Sequence, residues 1–326
     1  MDRQAIIKQL DDNGYCIVPN VITSEKCDEY LQDFQKWHSS FKENGKELRI
    51  QRSVIQSYRI GHCESAWKCR LHCKPLFDLL WGTEKLLTSV DGVAIATPPK
   101  KGEGDVREPG AYWLHLDQSV RRQGFHAYQG AVYLEETTDQ DYCFRVLKRS
   151  HKYHSDLFEK FPNAAQITRK MEFFILNKTQ RKWYDDKDCP LVYVPVPKGG
   201  MVLWDSRTVH DTDPPAIDTP QLDKWRCVVF VSMTPAIWAG DEDIAFKQKA
   251  YKDIQMTSHW SSQGQITFKN KESKKRKDDD EIVDPQSITE LPPTAKTTAV
   301  KLLMGVELYD FKDGKPNGPP PPTWIP

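Results

Sequence analysis

Apolar positions along the chain first repeat at helical spacing, then shorten to strand-like runs. Ile6, Ile7 and Leu10 share one helical face and Asn13-Gly14 supplies a stop, so residues 2–12 predict a helix. Residues 15–19 read as a short strand. Thr23 or Ser24 is placed to cap a second helix, in which Cys27, Tyr30, Leu31 and Phe34 follow the i, i+3, i+4, i+7 pattern of a core-facing stripe. From about residue 50 to 235, short strand-like runs alternate with polar turns, at 92–97, 112–117, 129–134, 144–147, 191–196 and 201–204. Gly199-Gly200 marks a turn before the last of these. Residues 156–161 predict a short helix ended by Pro162. Many short strands with turn signals predict a mainly β sandwich or barrel with flanking helices.

Beyond residue 240 the pattern changes. Residues 240–262 are polar with spaced aromatics. Lys274-Lys275-Arg276-Lys277 runs directly into Asp278-Asp279-Asp280-Glu281, a self-cancelling charge block expected as an exposed, mobile loop near 269–284. The basic tetrad is a weak nuclear-import signal beside so many acids. Residues 319–322 are all proline and predict an extended tail. The expected division is a main domain over 1–240 and a C-terminal extension over 241–326.

The 326 residues carry no formal net charge, which argues against a protein built to neutralise phosphates but leaves a local basic groove open. No apolar run approaches a membrane span, and Met1-Asp2-Arg3-Gln4-Ala5-Ile6 lacks a secretory apolar stretch, so an intracellular, cytoplasmic location is expected. Eight scattered cysteines are then expected as free thiols. His62, Cys63, Cys69, His72 and Cys73 fall close together, but without the paired short spacings of structural zinc motifs.

The candidate chemistry lies in Trp113-Leu114-His115-Leu116-Asp117 and Val209-His210-Asp211-Thr212. His115 and Asp117 are two apart, so in a strand both leave the same face. His210 follows far enough downstream for the chain to cross a sheet and return. Two imidazoles and one carboxylate form a three-ligand face with open positions, suited to non-haem Fe(II) that binds a co-substrate and then O2. Arg226 opens the strand-like run Trp225-Arg226-Cys227-Val228-Val229-Phe230-Val231. A buried arginine there needs an anion, and its planar fork matches a carboxylate. A dicarboxylic co-substrate would serve; a salt bridge to a neighbouring Asp or Glu is the alternative.

These motifs resemble the phytanoyl-CoA dioxygenase family of Fe(II)/2-oxoglutarate-dependent oxygenases. The likeness spans roughly residues 10–235. Asp11-Asp12-Asn13-Gly14-Tyr15-Cys16-Ile17-Val18-Pro19 resembles the family's opening strand. Thr97-Pro98-Pro99-Lys100 resembles its segment ahead of the His-x-Asp. Val146-Leu147-Lys148-Arg149-Ser150-His151 is similar to its Pro-Gly-Ser-His segment, with Arg149 in the glycine's place, and Gly199-Gly200-Met201-Val202-Leu203-Trp204-Asp205 leads to His210 as in the family. Arg226 lies farther past His210 than is usual, which a loop insertion over 213–220 would absorb. Arg207 is the rival, but it precedes His210.

The resemblance implies a double-stranded β-helix, a cupin-like jelly-roll. It implies His115, Asp117 and His210 as iron ligands and Arg226 as partner of the distal 2-oxoglutarate carboxylate. It adds Thr212 as an aid to that carboxylate and Gln129 as a co-substrate contact. The expected reaction is hydroxylation, or a related oxidation, of a small organic molecule with release of succinate and CO2. A carboxylate at Asp117 disfavours halogenation. A non-catalytic scaffold on the same fold, a cupin-like enzyme using no 2-oxoglutarate, and a hydroxylase of nucleic acid or protein stay open. Lys100, Lys101, Arg107 and Glu108 in the loop before the motif are read as possible lid residues. Arg121 and Arg122 read either as acidic-substrate contacts or as a solvated turn, Tyr112 and Trp113 as barrel packing, and His151 as a support behind the metal ligands.

Overall fold

A computed structural model describes residues 2–43, 48, 52–98, 113–215, 224–268, 274–275, 281–282 and 286–325. Two antiparallel sheets form its centre. A seven-stranded sheet runs in the order Tyr15–Val18, Met201–Asp205, Tyr128–Tyr133, Arg226–Pro235, Val93–Ala96, Val54–Ile55, with Leu86–Thr88 also paired to Arg226–Pro235. A five-stranded sheet runs Leu191–Val194, Cys143–Leu147, His210–Asp213, His115–Leu116, Phe174–Ile175. This is the expected mainly β jelly-roll with helices outside.

Strand alternation builds two separate cores from the larger sheet. Ala131, Tyr133, Val202, Trp204 and Val228 meet Phe144, Val146 and Val194 of the smaller sheet. Their sequence neighbours Val132, Met201, Leu203, Cys227 and Val229 face the opposite way and pack with Ile6, Leu10, Tyr30, Phe34, Cys73 and Phe77 of the helices. The same parity puts Gln129 and Arg226 on the inter-sheet side, where an uncompensated polar group is costly.

The first two helices occur where the pattern places them. Arg3–Asn13 is capped by Asp2 and ends at Gly14 with φ 88°, and Ser24–Glu43 starts with the Thr23 hydroxyl accepting from Lys26 N–H. Gly14 is a structural keystone. Its carbonyl accepts from the Thr208 hydroxyl and from Asp205 N–H, which fixes the turn leading to His210. A Cβ there would lie 2.7 Å from His151 Nδ1 and 2.8 Å from Thr208 Oγ1.

Three expectations need correction. An 18-residue helix, Glu64–Trp81, stands inside the region read as strands and turns. It carries most of the cysteine–histidine group. Cys69 and Cys73 are packed in the helical core, His72 bonds the Tyr30 hydroxyl at 3.0 Å, and His62 just before the helix donates to the Gln255 carbonyl at 2.9 Å. Pro162 does not simply end a helix. It separates His154–Lys160 from a second helix, Pro162–Thr168, and opens the latter, because a proline loses no hydrogen bond in a first turn. The Arg121-Arg122 pair is not a solvated turn: Arg122 is fully buried.

The C-terminal segment lies directly on the sheets. Lys247, on the helix Asp241–Lys252, donates to the Thr88 carbonyl at 2.6 Å. Ala295, Val300 and Met304 pack with Trp67 and Val90. Farther on, Asp310, Asp313 and Asn317 surround the Lys85 ammonium, the Pro319 carbonyl accepts from Trp238, and Thr323–Trp324 pairs with Arg122–Gln123. The Arg122 guanidinium lies 3.6 Å from the centre of the Trp260 ring and pairs with Glu172 at 3.3 Å. In the charge block, Lys274–Lys275 pairs with Glu281–Ile282; residues 276–280 lie outside the described residues, as do Lys100, Lys101, Arg107, Glu108, Tyr112 and residues 216–220 of the expected loop insertion. Among the described residues no helix is long and apolar enough to cross a membrane.

Candidate active site

His115 and His210 are register partners on adjacent antiparallel strands. Asp117 lies just past the short strand His115–Leu116 and turns back between them. His115 Nε2 is 3.6 Å from Asp117 Oδ1 and His210 Nε2 is 3.5 Å from Asp117 Oδ2. One donor atom from each of the three lies within 4.8 Å of the others.

The backbone fixes which imidazole nitrogen faces inward. His115 Nδ1 donates to the Trp113 carbonyl at 3.1 Å and His210 Nδ1 to the Thr208 carbonyl at 2.9 Å. A carbonyl only accepts, so the proton sits on Nδ1 and the Nε2 lone pair points at the shared centre. Burial keeps His115 neutral, its pKa pushed down to about 3, with His210 adding to the effect. Burial opposes ionisation of Asp117, yet the surrounding His259, His115 and His210 hold its carboxyl well below the usual range. Two neutral imidazoles and one carboxylate leave the donor set that Fe(II) takes, with room for further ligands.

Aromatic rings lock the set in place. Trp113 stacks on His115 at 4.4 Å and 14°, and its indole N–H donates to the Thr212 carbonyl. It therefore forms a wall of the site rather than only barrel packing. Trp204 lies 5.0 Å from His210. Gln129 donates to Asp117 Oδ2 at 2.9 Å, while its carbonyl accepts from Trp204 Nε1 at 2.9 Å. Both ends of that amide are therefore engaged.

The triad lines a cavity of about 480 Å³. Thr212 is on its wall, and Arg226 lies behind, with Nη2 3.3 Å from Thr212 Oγ1 and Nη1 donating to Ser53 Oγ. Arg226 is fully buried, its Nε has no partner, and no carboxylate pairs with it among the described residues. Burial alone lowers its pKa below the usual arginine value. Two other arginines nearby are paired. Arg145 binds Asp211 through two bonds of 2.8 Å and Asp213 at 3.0 Å. Arg207 clasps Asp205.

His151, expected behind the metal ligands, lies elsewhere. His151 donates to the Asp11 carbonyl and secures the first helix, not the metal ligands. His126 and His154 bond the Thr323 and Gln118 carbonyls. The sequence reading misses Arg52, Gln56, Asp91, Ser258, His259 and Phe268, all on the cavity wall. Of these, Ser258, His259 and Phe268 come from the segment past residue 240, which no motif covers.

Comparison with known proteins agrees with this geometry. A family model described as phytanoyl-CoA dioxygenase matches residues 10–215. A curated relative from Aspergillus versicolor, "Ava biosynthesis cluster protein O", is 25% identical over 263 residues, covering 76% of this chain and 82% of its own. The crystal structure of GlcNAc Inducible Gene 2 from Candida albicans aligns with 97% of this chain and 79% of its own, at 15% identity and a TM-score of 0.59. Its likeness is in fold, and it extends through the C-terminal segment. The epimerase SnoN from nogalamycin biosynthesis, solved with Fe3+, alpha ketoglutarate and nogalamycin RO, is a weaker likeness (17% identity, 72% of this chain and 84% of that one, TM-score 0.48).

Proposed function

The chain belongs to the phytanoyl-CoA dioxygenase family and is an Fe(II)- and 2-oxoglutarate-dependent oxygenase with the triad His115, Asp117 and His210; we propose that it hydroxylates a small organic molecule inside the cavity beside that triad. The observation that carries this reading is the join between the cavity and a buried arginine that has no carboxylate partner among the described residues. The triad stands on the cavity wall, and Arg226 waits behind Thr212 without a carboxylate partner among the described residues.

Iron(II) at the triad, together with 2-oxoglutarate and O2, supplies the oxidation: one oxygen atom enters a substrate C–H bond, the other enters succinate, and CO2 leaves. The protein's own groups perform the rest. Arg226 and Thr212 bind the distal carboxylate of 2-oxoglutarate and so orient its keto acid end toward the triad. Gln129, engaged by Asp117 and Trp204, orients the carboxylate ligand rather than reaching the co-substrate. The Trp113 and Phe173 rings shield His115 from water. Asp117 occupies the position that a halide would need, which favours hydroxylation over halogenation.

A small-molecule substrate fits the cavity's size. The curated relative's printed name points the same way, since it assigns that protein to a biosynthesis cluster. The test is incubation of the iron-loaded protein with 2-oxoglutarate, 18O2 and fractionated cell extract. Beyond the labelled succinate that any turnover gives, label should appear in a second low-molecular-weight product. Label found, apart from succinate, only in protein or nucleic acid would overturn the proposed substrate class.

A further inference from the structure

One wall of the cavity is polar, and several of its atoms have no hydrogen-bond partner among the described residues. Residues 256–268 form a hairpin in which Ser258 N–H donates to Ile266 O at 2.8 Å and Phe268 N–H to Met256 O at 3.0 Å. Thr257 ties the hairpin to the segment bearing Asp91, through Thr257 N–H to Val90 O and Val90 N–H to Thr257 Oγ1. Ser261 adds a bond to the Ser232 carbonyl at 2.8 Å. The wall is thus a fixed part of the structure.

On it, His259 Nε2 and Ser258 Oγ are buried with no hydrogen-bond partner. Asp91 is only 7% exposed. Its Oδ1 accepts from Gly92 N–H at 2.6 Å and from Gln56 at 3.4 Å, while Oδ2 has no partner among the described residues. His259 Nδ1 is 3.9 Å from Asp117 Oδ2, so this polar wall reaches the triad itself. The lining also includes the apolar Val54, Phe173, Ile266 and Phe268, together with the polar Arg52, Gln56 and Glu172.

We propose that Asp91, Ser258 and His259 form a substrate-recognition subsite for a hydrogen-bond donor, a hydroxyl or a protonated amine, set beside the carbon that is oxidised. The inference rests on the oxygenase reading and deepens it. A molecule that fills the cavity strips water from the Asp91 carboxylate, while Ser258 Oγ and His259 Nε2 have no partner among the described residues even before it enters. Unless it bonds them in return, each stays buried and unsatisfied, a cost of roughly 1–3 kcal/mol per group. Sites built this way reject analogues that lack the polar group far more strongly than an apolar pocket rejects a missing methylene. The apolar side chains Val54, Phe173, Ile266 and Phe268 take the hydrocarbon part of the same molecule.

The experiment uses ring-matched probes: cyclohexylmethanol, cyclohexylmethylamine and methylcyclohexane, each titrated by ligand-observed NMR into the full-length protein. Wild type is compared with Asp91→Asn, Ser258→Ala, His259→Phe and His259→Gln, each checked for an intact thermal transition. The alcohol or the amine should bind wild type more tightly than the hydrocarbon, and that preference should fall by about tenfold or more in Asp91→Asn or His259→Phe. Loss of the amine alone in Asp91→Asn assigns the partner as a cation; loss of both assigns hydrogen bonding without charge. Probes that bind wild type without preference, fail to bind at millimolar concentration, or bind every folded variant alike overturn the subsite. The Fe(II)–2-oxoglutarate absorption band of the wild type is recorded in parallel. If it is absent, the oxygenase reading fails; if it is present while the probes are unselective, only the subsite fails.

Discussion

His115 and His210 face each other across paired strands, with ring centroids 4.3 Å apart. Each ring is held by the carbonyl of the residue two positions before it, so the strands themselves aim both Nε2 atoms. The third ligand depends on a side chain instead. Asp117 sits past the strand end and is oriented by Gln129.

Gln129→Ala should therefore weaken the centre without abolishing it. Groups that orient a metal ligand typically account for 10–100-fold in affinity or activity, and a loss of about that size is expected in Fe(II) affinity. The check is anaerobic titration with Fe(II) against a competing chelator. Unchanged affinity would mean that Asp117 needs no such support.

Arg226→Ala should raise the 2-oxoglutarate concentration needed for turnover while leaving metal affinity near the wild-type value. Removing one member of a buried, hydrogen-bonded charge pair costs about 2–5 kcal/mol. Arg226→Lys should recover only part of this, because an ammonium cannot present two parallel donors. Calorimetric titration of 2-oxoglutarate into each variant, under anaerobic conditions, provides the numbers.

Much of this site is legible in the sequence. His-x-Asp and the later histidine and arginine come in an order that names the triad, and alternation along 226–232 puts Arg226 on the same side as Val228 and Phe230. The rest is hidden for physical reasons. The helix Glu64–Trp81 mixes Ser, Cys and Arg into its buried face and contains Pro75, so its period is blurred. Arg122 reads as surface, but Trp260 and Trp324 from the distant C-terminal segment cover it. His259 belongs to a hairpin whose place at the cavity is set by contacts to Val90 and Ser232, which no local pattern encodes.

The C-terminal segment should stabilise the fold as well as line the cavity. Lys85 is buried and bonds the Asp310 carbonyl, Asp313 and Asn317. Lys85→Met should cost on the order of 1–3 kcal/mol, through carboxamide and carbonyl groups left without a donor. Hydrogen exchange should quicken first over residues 306–318. Unchanged exchange there would show that Lys85 does not hold the segment.

Acid should destabilise the protein through its buried histidines. Burial pushes the pKa of His62 to about 3 and those of His126 and His154 to about 4. Unfolded, each titrates near 6.5. Between about 6.5 and these depressed values the unfolded chain binds more protons, so stability falls as pH drops through that window. By pH 5 each contributes on the order of 1–2 kcal/mol of lost stability. Urea unfolding of metal-free protein at pH 7.5 and pH 5 should show the difference, and His154→Gln should reduce it. A midpoint that does not move would contradict the burial assigned to these rings.

The central claim is that His115, Asp117 and His210 hold iron and that Arg226 docks 2-oxoglutarate against it. The most direct measurement is the visible charge-transfer band formed when anaerobic Fe(II) protein is titrated with 2-oxoglutarate. The band should form in the wild type, disappear in His210→Ala, and require far more 2-oxoglutarate in Arg226→Ala. A wild-type protein that binds iron but shows no band, or a band unaffected by either substitution, would contradict the account.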